Sequence, residues 1–275
     1  MNKYIFHDAL FSDQDLSYIS KVFDTKAEPN DGFYSLTSPQ FVELSAVRQA
    51  LNCDVSRLPD HFDGQQVRLI VTDMDSTLIS IECIDEIADM LGIKPKVSSI
   101  TEAAMRGELN FEESLTQRVA LLKGLPVGEL QRVYDERLKL NPGAEKLNDY
   151  LKQSKIKLAL VSGGFTFFTE KLKNRLNLDY TLANTLEVAD GCLTGAVEGD
   201  IVGAQSKADL LLALSKELGL AQHQVIAMGD GANDLLMMNC AGLSVAYHAK
   251  PTVQAQTDIQ LNHRGLDAVV DLLKA

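Results

Sequence analysis

Two carboxylates one residue apart, Asp73 and Asp75, follow directly on the apolar run Leu69-Ile-Val71. Such a run reads as a buried parallel strand. Charges placed just after it sit at the strand's carboxyl end, where open α/β sheets bind ligands. Burying carboxylates there is costly unless a metal or hydrogen bonds neutralise them, so the pair marks a site of chemistry. Two further apolar runs end in polar groups. Ile156 to Val161 leads into Ser162-Gly-Gly164, and Gln224 to Met228 leads into Gly229-Asp-Gly-Ala-Asn-Asp234. Parallel strands bring such ends together, and Lys207 opens the helix before the third of them. Several carboxylates in one cleft repel each other unless a hard cation lies among them. Mg²⁺, satisfied by a few carboxylate oxygens, waters and a substrate phosphate, fits that set.

The same groups suit phosphoryl transfer. One carboxylate can attack phosphorus, and a second carboxyl can give and then take the proton. A cation and Lys207 would offset charge on the equatorial oxygens. The N–H groups after Asp73 and near Gly163 would form a nest for the phosphate. Each feature alone has a plainer reading. Asp-x-Asp after a strand also suits a metal-binding turn or a glycosyltransferase-like nucleotide site. Gly163 and Gly164 suit a tight turn, Lys207 a solvated helix face, and Asp234 a helix cap.

The rest of the chain must position these residues. Its 275 residues allow one large domain or two modest ones, and 45% apolar with 23% charged residues is a globular balance. A net charge of −12 with no long basic tract disfavours nonspecific binding to nucleic acid or anionic membrane. Cys53, Cys83, Cys192 and Cys240 are scattered without a CxxC pair, as in a reduced cytoplasmic protein. Met1 to Asp8 lacks a signal-peptide core, and no apolar stretch approaches the roughly 20 residues that span a bilayer. The five histidines show no ligand spacing, and Met237-Met238 reads as helix core.

From residue 67 onward, strands alternate with helical patterns, which predicts a Rossmann-like parallel sheet. Leu243 to Ala246 is a fourth strand, and Lys207 to Leu218 and Leu266 to Leu273 are helices. About 65 mostly helical residues precede Pro142-Gly143, too many for a simple crossover, and predict a helical cap at about 80–141. Asp190-Gly191 between short alternating runs predicts a β-hairpin flap. Residues 1–66 read as a separate short α/β appendage, for packing or as a degenerate regulatory domain, before the domain at 67–275. Within it a helix opens at Ser12, and a second is predicted to open with Ser38 as N-cap and Pro39 as N1, carrying Phe41, Leu44, Val47 and Leu51 on one stripe. Pro59 to Gly64 resembles a linker.

Taken together, Asp73-Met-Asp-Ser-Thr77, Ser162-Gly-Gly164, Lys207 and Gly229-Asp-Gly-Ala-Asn-Asp234 resemble the four ordered motifs of the haloacid dehalogenase superfamily, in the form found in its phosphoserine phosphatases. The match covers about residues 67 to 275. The resemblance implies a Mg²⁺-dependent hydrolase of O-phospho-L-serine, the last step of serine biosynthesis. It implies Asp73 as the nucleophile that becomes phosphoaspartate and as a metal ligand. Asp75 is implied as acid and base, with its backbone carbonyl on the metal, and Asp230 as the third ligand. Ser162, Gly163, Lys207 and Asn233 are implied as phosphate contacts, and Asp234 as the group orienting Lys207 or metal-bound water. In the cap, Glu82 and Arg118 match residues that hold the substrate ammonium and carboxylate. Met105 and Phe111 match apolar residues that close over it. The chemistry agrees, since Arg offers a bidentate fork to a carboxylate. Two alternatives stay open: a phosphatase for another small amino-acid-like phosphate monoester, and a phosphoserine sensor without turnover. A homodimer is left open as the assembly. The N-terminal region departs from the ACT-like regulatory domain of many bacterial relatives.

Overall fold

The computed structural model describes residues 1–8 and 10–275, apart from the side chain of Met105. The chain opens with β1 (Asn2–Phe6), α1 (Asp13–Phe23), β2 (Glu28–Pro29), β3 (Tyr34–Ser38), α2 (Leu44–Leu51) and β4 (Val55–Leu58). Helix α1 starts where expected, because Ser12 Oγ accepts from Asp15 N while the Asp15 carboxylate accepts from Ser12 N. The four strands form an antiparallel sheet in the order β2-β3-β1-β4. With its two helices this is the split βαββαβ arrangement of ferredoxin-like units.

The second helix differs from expectation, beginning at Leu44 and not at Pro39. Ser38 is the buried last residue of β3, where its hydroxyl donates to Phe23 O and accepts from Gln40 N. The bond to Phe23 O holds Ser38 in β3, and although the hydroxyl accepts from Gln40 N as a cap would, the helix begins only at Leu44. Phe41 is 63% exposed instead of joining an apolar stripe, and stacks under the Arg57 guanidinium.

The remaining chain runs through β5 (Leu69–Thr72), α3 (Cys83–Met90), α4 (Lys94–Met105), α5 (Phe111–Ala120), α6 (Val127–Glu136), α7 (Ala144–Gln153), β6 (Lys157–Phe165) and α8 (Thr166–Leu176). It continues through β7 (Tyr180–Ala189), β8 (Cys192–Glu198), α9 (Ala204–Glu217), β9 (Val225–Gly229), α10 (Leu235–Cys240), β10 (Leu243–Tyr247), α11 (Pro251–Gln254), β11 (Ile259–Leu261) and α12 (Ala268–Lys274). Seven strands form one sheet in the order β11-β10-β9-β5-β6-β7-β8, parallel except for β8. From β5 the chain builds outward on one side and then returns to β9 on the other. The carboxyl ends of β5 and β9 therefore form the switch point of the sheet, the place where α/β sheets bind ligands. Helices α3 to α6 are the cap.

The hairpin turn is as expected, with both Asp190 (φ 51°) and Gly191 (φ 76°) in the left-handed region that a type I′ turn requires. Its root is not a detached flap. Strand β7 first pairs parallel to β6, from Ala159↔Tyr180 onward, and only then folds back against β8. The hairpin also holds the cap, through Gly124 N to Leu193 O at 2.8 Å and a Pro126–Cys192 bridge.

The two sheets are packed together. Buried His7 joins Asp271 and Ser56, at 2.9 Å each, and the Asp54 carboxylate accepts the N–H groups of Asn262, His263 and Arg264. The segment read as a linker ends tightly, since a Cβ on Gly64 would lie 2.5 Å from Leu272 O. His7 thus has the structural role expected of the histidines.

Candidate active site

Asp73 follows β5, and its N–H donates to Met228 O of β9 at 3.0 Å, fixing it between the two central strands. The irregular turn Met74–Leu78 then carries Asp75 and Ser76. Under Asp73 lies Lys207, 1% exposed, in the first turns of α9. Its Nζ donates to Asp73 Oδ1 at 2.6 Å and to Asp234 Oδ1 at 2.7 Å. The other oxygen of Asp234 accepts from Gly231 N, so this fully buried carboxylate ties Lys207 to the loop after β9.

Asp73, Asp230 and Asp234 offer oxygens within 4.8 Å of one another. One buried ammonium cannot neutralise three carboxylates. Burial, and then the Asp234 charge, holds the Asp73 carboxyl well above the usual carboxylate range. Burial and Asp234 push Asp230 up to about 7. Lys207 stays charged: burial opposes it, but Asp234 and Asp73 raise its pKa further. Lys207 occupies one oxygen each of Asp73 and Asp234, which leaves Asp230 and the second Asp73 oxygen for a cation. A set of hard oxygens with excess negative charge fits a divalent metal.

Asp75 faces the cleft from the turn and accepts from Cys83 N at 3.3 Å. Burial, with the Glu82 charge behind it, pushes its carboxyl up to about 7. Ser162 and Gly163 end the regular part of β6. Ser162 Oγ accepts from Gly164 N at 2.8 Å, which curls the loop toward the cleft. At both glycines neighbouring side chains approach closely. A Cβ on Gly163 would meet Phe111 Cζ at 2.7 Å, and one on Gly164 would meet Asp75 Oδ2 and Ser162 Oγ at 3.0 Å.

These groups open into a cleft of about 490 Å³ between the sheet and the cap. Of the residues expected from sequence, Asp73, Asp75, Glu82, Phe111, Arg118, Ser162, Gly163, Asp230 and Asn233 line it. Lys207 and Asp234 lie beneath its floor. Met105 was also expected here, and its side chain is outside the described residues. Glu82 is held by Ser76 Oγ at 2.7 Å, and burial raises its carboxyl. Arg118 donates from Nε to Ser114 O and makes no ion pair among the described residues, so the rest of its fork is free for a carboxylate.

Two residues were missed. Lys250 lines the cleft on the core side and adds a cation near Glu82 and Asp230. Its only sequence signal is its position just past the β10 strand end. Asn184 on β7 donates to Gly163 O and Val202 O and accepts from Val202 N. It thereby joins the Ser162–Gly164 loop to the start of the Lys207 helix. An asparagine inside a strand gives no such signal in sequence.

A profile of the haloacid dehalogenase-like hydrolases matches residues 67–242. The chain belongs to that family, whose members generally use a divalent metal. A phosphoserine phosphatase of Polaromonas is 54% identical over 212 residues, covering 75% of this chain and 90% of that protein. The crystal structure of a probable phosphoserine phosphatase from Vibrio cholerae, unliganded, superposes with a TM-score of 0.85 at 39% identity, covering 99% of this chain and 86% of that one. A phosphoserine phosphatase solved as a phospho-aspartyl intermediate analogue has a TM-score of 0.69 at 42% identity, covering 74% and 97%.

Proposed function

We propose that this chain is a Mg²⁺-dependent phosphatase that hydrolyses O-phospho-L-serine to L-serine and phosphate. One observation carries the reading: a buried, Lys207-paired nucleophile candidate, Asp73, shares a cleft with Asp75 and with a Glu82–Arg118 pair suited to an amino-acid head group. Arg118 takes the substrate carboxylate and Glu82 its ammonium, while Phe111 covers the bound molecule and excludes water. Asp73 Oδ attacks phosphorus as the serine oxygen departs. Asp75 gives that oxygen its proton, leaving serine and a phosphoaspartate. Asp75 then takes a proton from water as the water oxygen attacks phosphorus, which releases phosphate and restores Asp73. A carboxyl poised near 7 is suited to both halves of that task. Ser162, the Gly163 amide and Asn233 hold the phosphoryl oxygens, Lys207 offsets their charge, and Lys250 adds positive charge at the mouth. Asp73, the Asp75 carbonyl and Asp230 would hold Mg²⁺, and Asp234 orients Lys207. When bound, the ion supplies Lewis-acid neutralisation of the phosphoryl oxygens.

We read residues 67–275 as the phosphatase domain, with its cap at about 80–141, and residues 1–66 as an appendage. The four free cysteines favour a cytoplasmic setting, and no helix among the described residues is long and apolar enough to cross a membrane.

The test is phosphate release from O-phospho-L-serine and from a panel of small phosphate monoesters, with Mg²⁺ and with EDTA. The reading expects fast, metal-dependent release that favours phosphoserine. Equal rates across the panel would remove the substrate assignment, and no release from any ester would leave a sensor. Replacing Arg118 by Ala is expected to raise KM for phosphoserine about a hundredfold, since a charge-assisted bidentate pair contributes about 2–3 kcal/mol. Rates on phosphate esters without a carboxylate should barely change.

Metal binding should also depend on pH. Without metal, Asp73, Asp75 and Asp230 all have folded-state pKa values raised above their ordinary ones. Between about pH 4 and 7 the folded state then holds more protons at these groups than the unfolded state, so their contribution to stability falls as pH rises. Mg²⁺ reverses this by binding the ionised form. The Mg²⁺-induced rise in Tm should therefore be small at pH 5 and larger at pH 8. An equal rise at both would contradict the assignment.

A further inference from the structure

The turn that carries Asp75 is not a regular helix. Asp75 is extended (ψ 135°), and Ser76 lies in the left-handed region (φ 56°), unfavourable for a residue other than glycine. Its carbonyls therefore leave the helical ladder and need other donors. Ile79 N takes Met74 O at 3.0 Å. Asn141 takes most of the rest. Its Nδ2 lies 2.8 Å from Thr77 O, 3.0 Å from Ile79 O and 3.4 Å from Ser76 O, and its backbone N donates to Leu78 O at 3.0 Å.

Asn141 also stands where the chain returns from the cap. The outgoing and returning linkers touch there, through Ser80 N to Lys139 O at 2.9 Å and an Ile79–Leu140 bridge. The far side of the same turn meets the cap again. Ser76 N donates to Ile81 O, Ser76 Oγ to Glu82 Oε1, and Cys83 N to Asp75 Oδ1. Asp73 is held differently, by β9 and by Lys207.

We propose that Asn141 is a positioning residue for the reaction: its side-chain amide staples the irregular Asp75–Ser76 turn to both linkers of the cap. These linkers are where the cap would hinge, and Asp75 must keep its place against the substrate oxygen throughout. An amide whose two N–H groups reach Thr77 O and Ile79 O, with Ser76 O at 3.4 Å as a shared third contact, holds that place. Without it, the turn relaxes and carries Asp75 and Glu82 with it, while Asp73 stays. This rests on the reading of Asp75 as the acid and base.

The test compares Asn141→Ala, Asn141→Asp and Asn141→Ser with the unaltered chain. The variants are expected to fold: the residue 141 N–H keeps its bond to Leu78 O, and water entering the space left by the half-buried side chain can meet the buried Thr77 and Ile79 carbonyls. Asp keeps the shape but presents only acceptors where Thr77 O and Ile79 O need donors, and Ser keeps one donor. We expect kcat on phosphoserine to fall about ten- to a hundredfold in the Ala and Asp variants, with Ser between. Beryllofluoride with Mg²⁺, which mimics the phosphoryl group on Asp73, should lose affinity severalfold less than kcat falls, because Asp73 is anchored by β9 and Lys207 and only the Asp75 carbonyl of the metal set lies on the turn. Unchanged kcat would overturn the proposal. So would equal losses of kcat and beryllofluoride binding, which describe a merely structural residue. Absence of turnover in the unaltered chain would instead remove the phosphatase reading, and the two failures are thereby told apart.

Discussion

Replacing Asp73 by Asn is expected to lower phosphate release from O-phospho-L-serine by at least about four orders of magnitude, with the fold intact. The amide has the shape of the carboxylate and keeps an oxygen for Lys207 Nζ, now 2.6 Å from Asp73 Oδ1. It cannot form the acyl phosphate. Asp73 is 5% exposed and its carboxyl is held well above the usual range by burial, so neutralising it removes a cost and not a support. Thermal unfolding without Mg²⁺ should therefore show a Tm equal to or above that of the unaltered chain. The variant should also lose most of its stabilisation by Mg²⁺. Residual turnover within about tenfold of the unaltered chain would mean that another group attacks phosphorus.

Lys207→Met is expected to damage both stability and activity. The substitution leaves Asp73, Asp230 and Asp234 facing one another with no buried cation. Removing one partner of a buried ion pair costs about 3–5 kcal/mol, because the remaining charge has lost its compensation. Chemical denaturation without metal should show a loss of that size, and phosphoserine turnover should fall by at least about a thousandfold. Adding Asp234→Asn to Lys207→Met should recover much of the stability and none of the activity, since two residues of one network do not act additively. Equal stability of Lys207→Met and the unaltered chain would mean that the three carboxylates share the proton load without help from Lys207.

Much of this site was legible in the chain because its chemistry sits at strand ends. Leu69 to Thr72 is fully buried, so its apolar run is unbroken to Val71, one residue short of Asp73, and Asp230 and Ser162 follow runs of the same kind. Lys207 was legible only as one of several ordered motifs. Its partners lie 134 and 27 residues away, distances at which spacing carries no information. The N-terminal sheet shows the opposite case. Tyr4 and Phe6 pack on α1 and α2, while Ile5 joins the main core, so both faces of β1 are apolar and the alternation that marks a strand is missing. Ser38 misled for a local reason. A serine before a proline is a good helix start in isolation, and its hydroxyl does accept from Gln40 N, but Ser38 is the last residue of β3 and is tied to the end of α1, so the helix begins only at Leu44. Asn141, Asn184 and Lys250 act on backbone carbonyls or at a distance, and only the fold shows what they meet.

The most direct test of the account is capture of the covalent intermediate. The chain would be mixed with O-phospho-L-serine labelled at phosphorus, with Mg²⁺ present, quenched in acid within one turnover, and digested. The account predicts a hydroxylamine-sensitive label confined to the peptide containing Asp73. It also predicts none in Asp73→Asn and more label at steady state when attack of water is slowed. Turnover of phosphoserine with no label on that peptide, or with label on another residue, would contradict it.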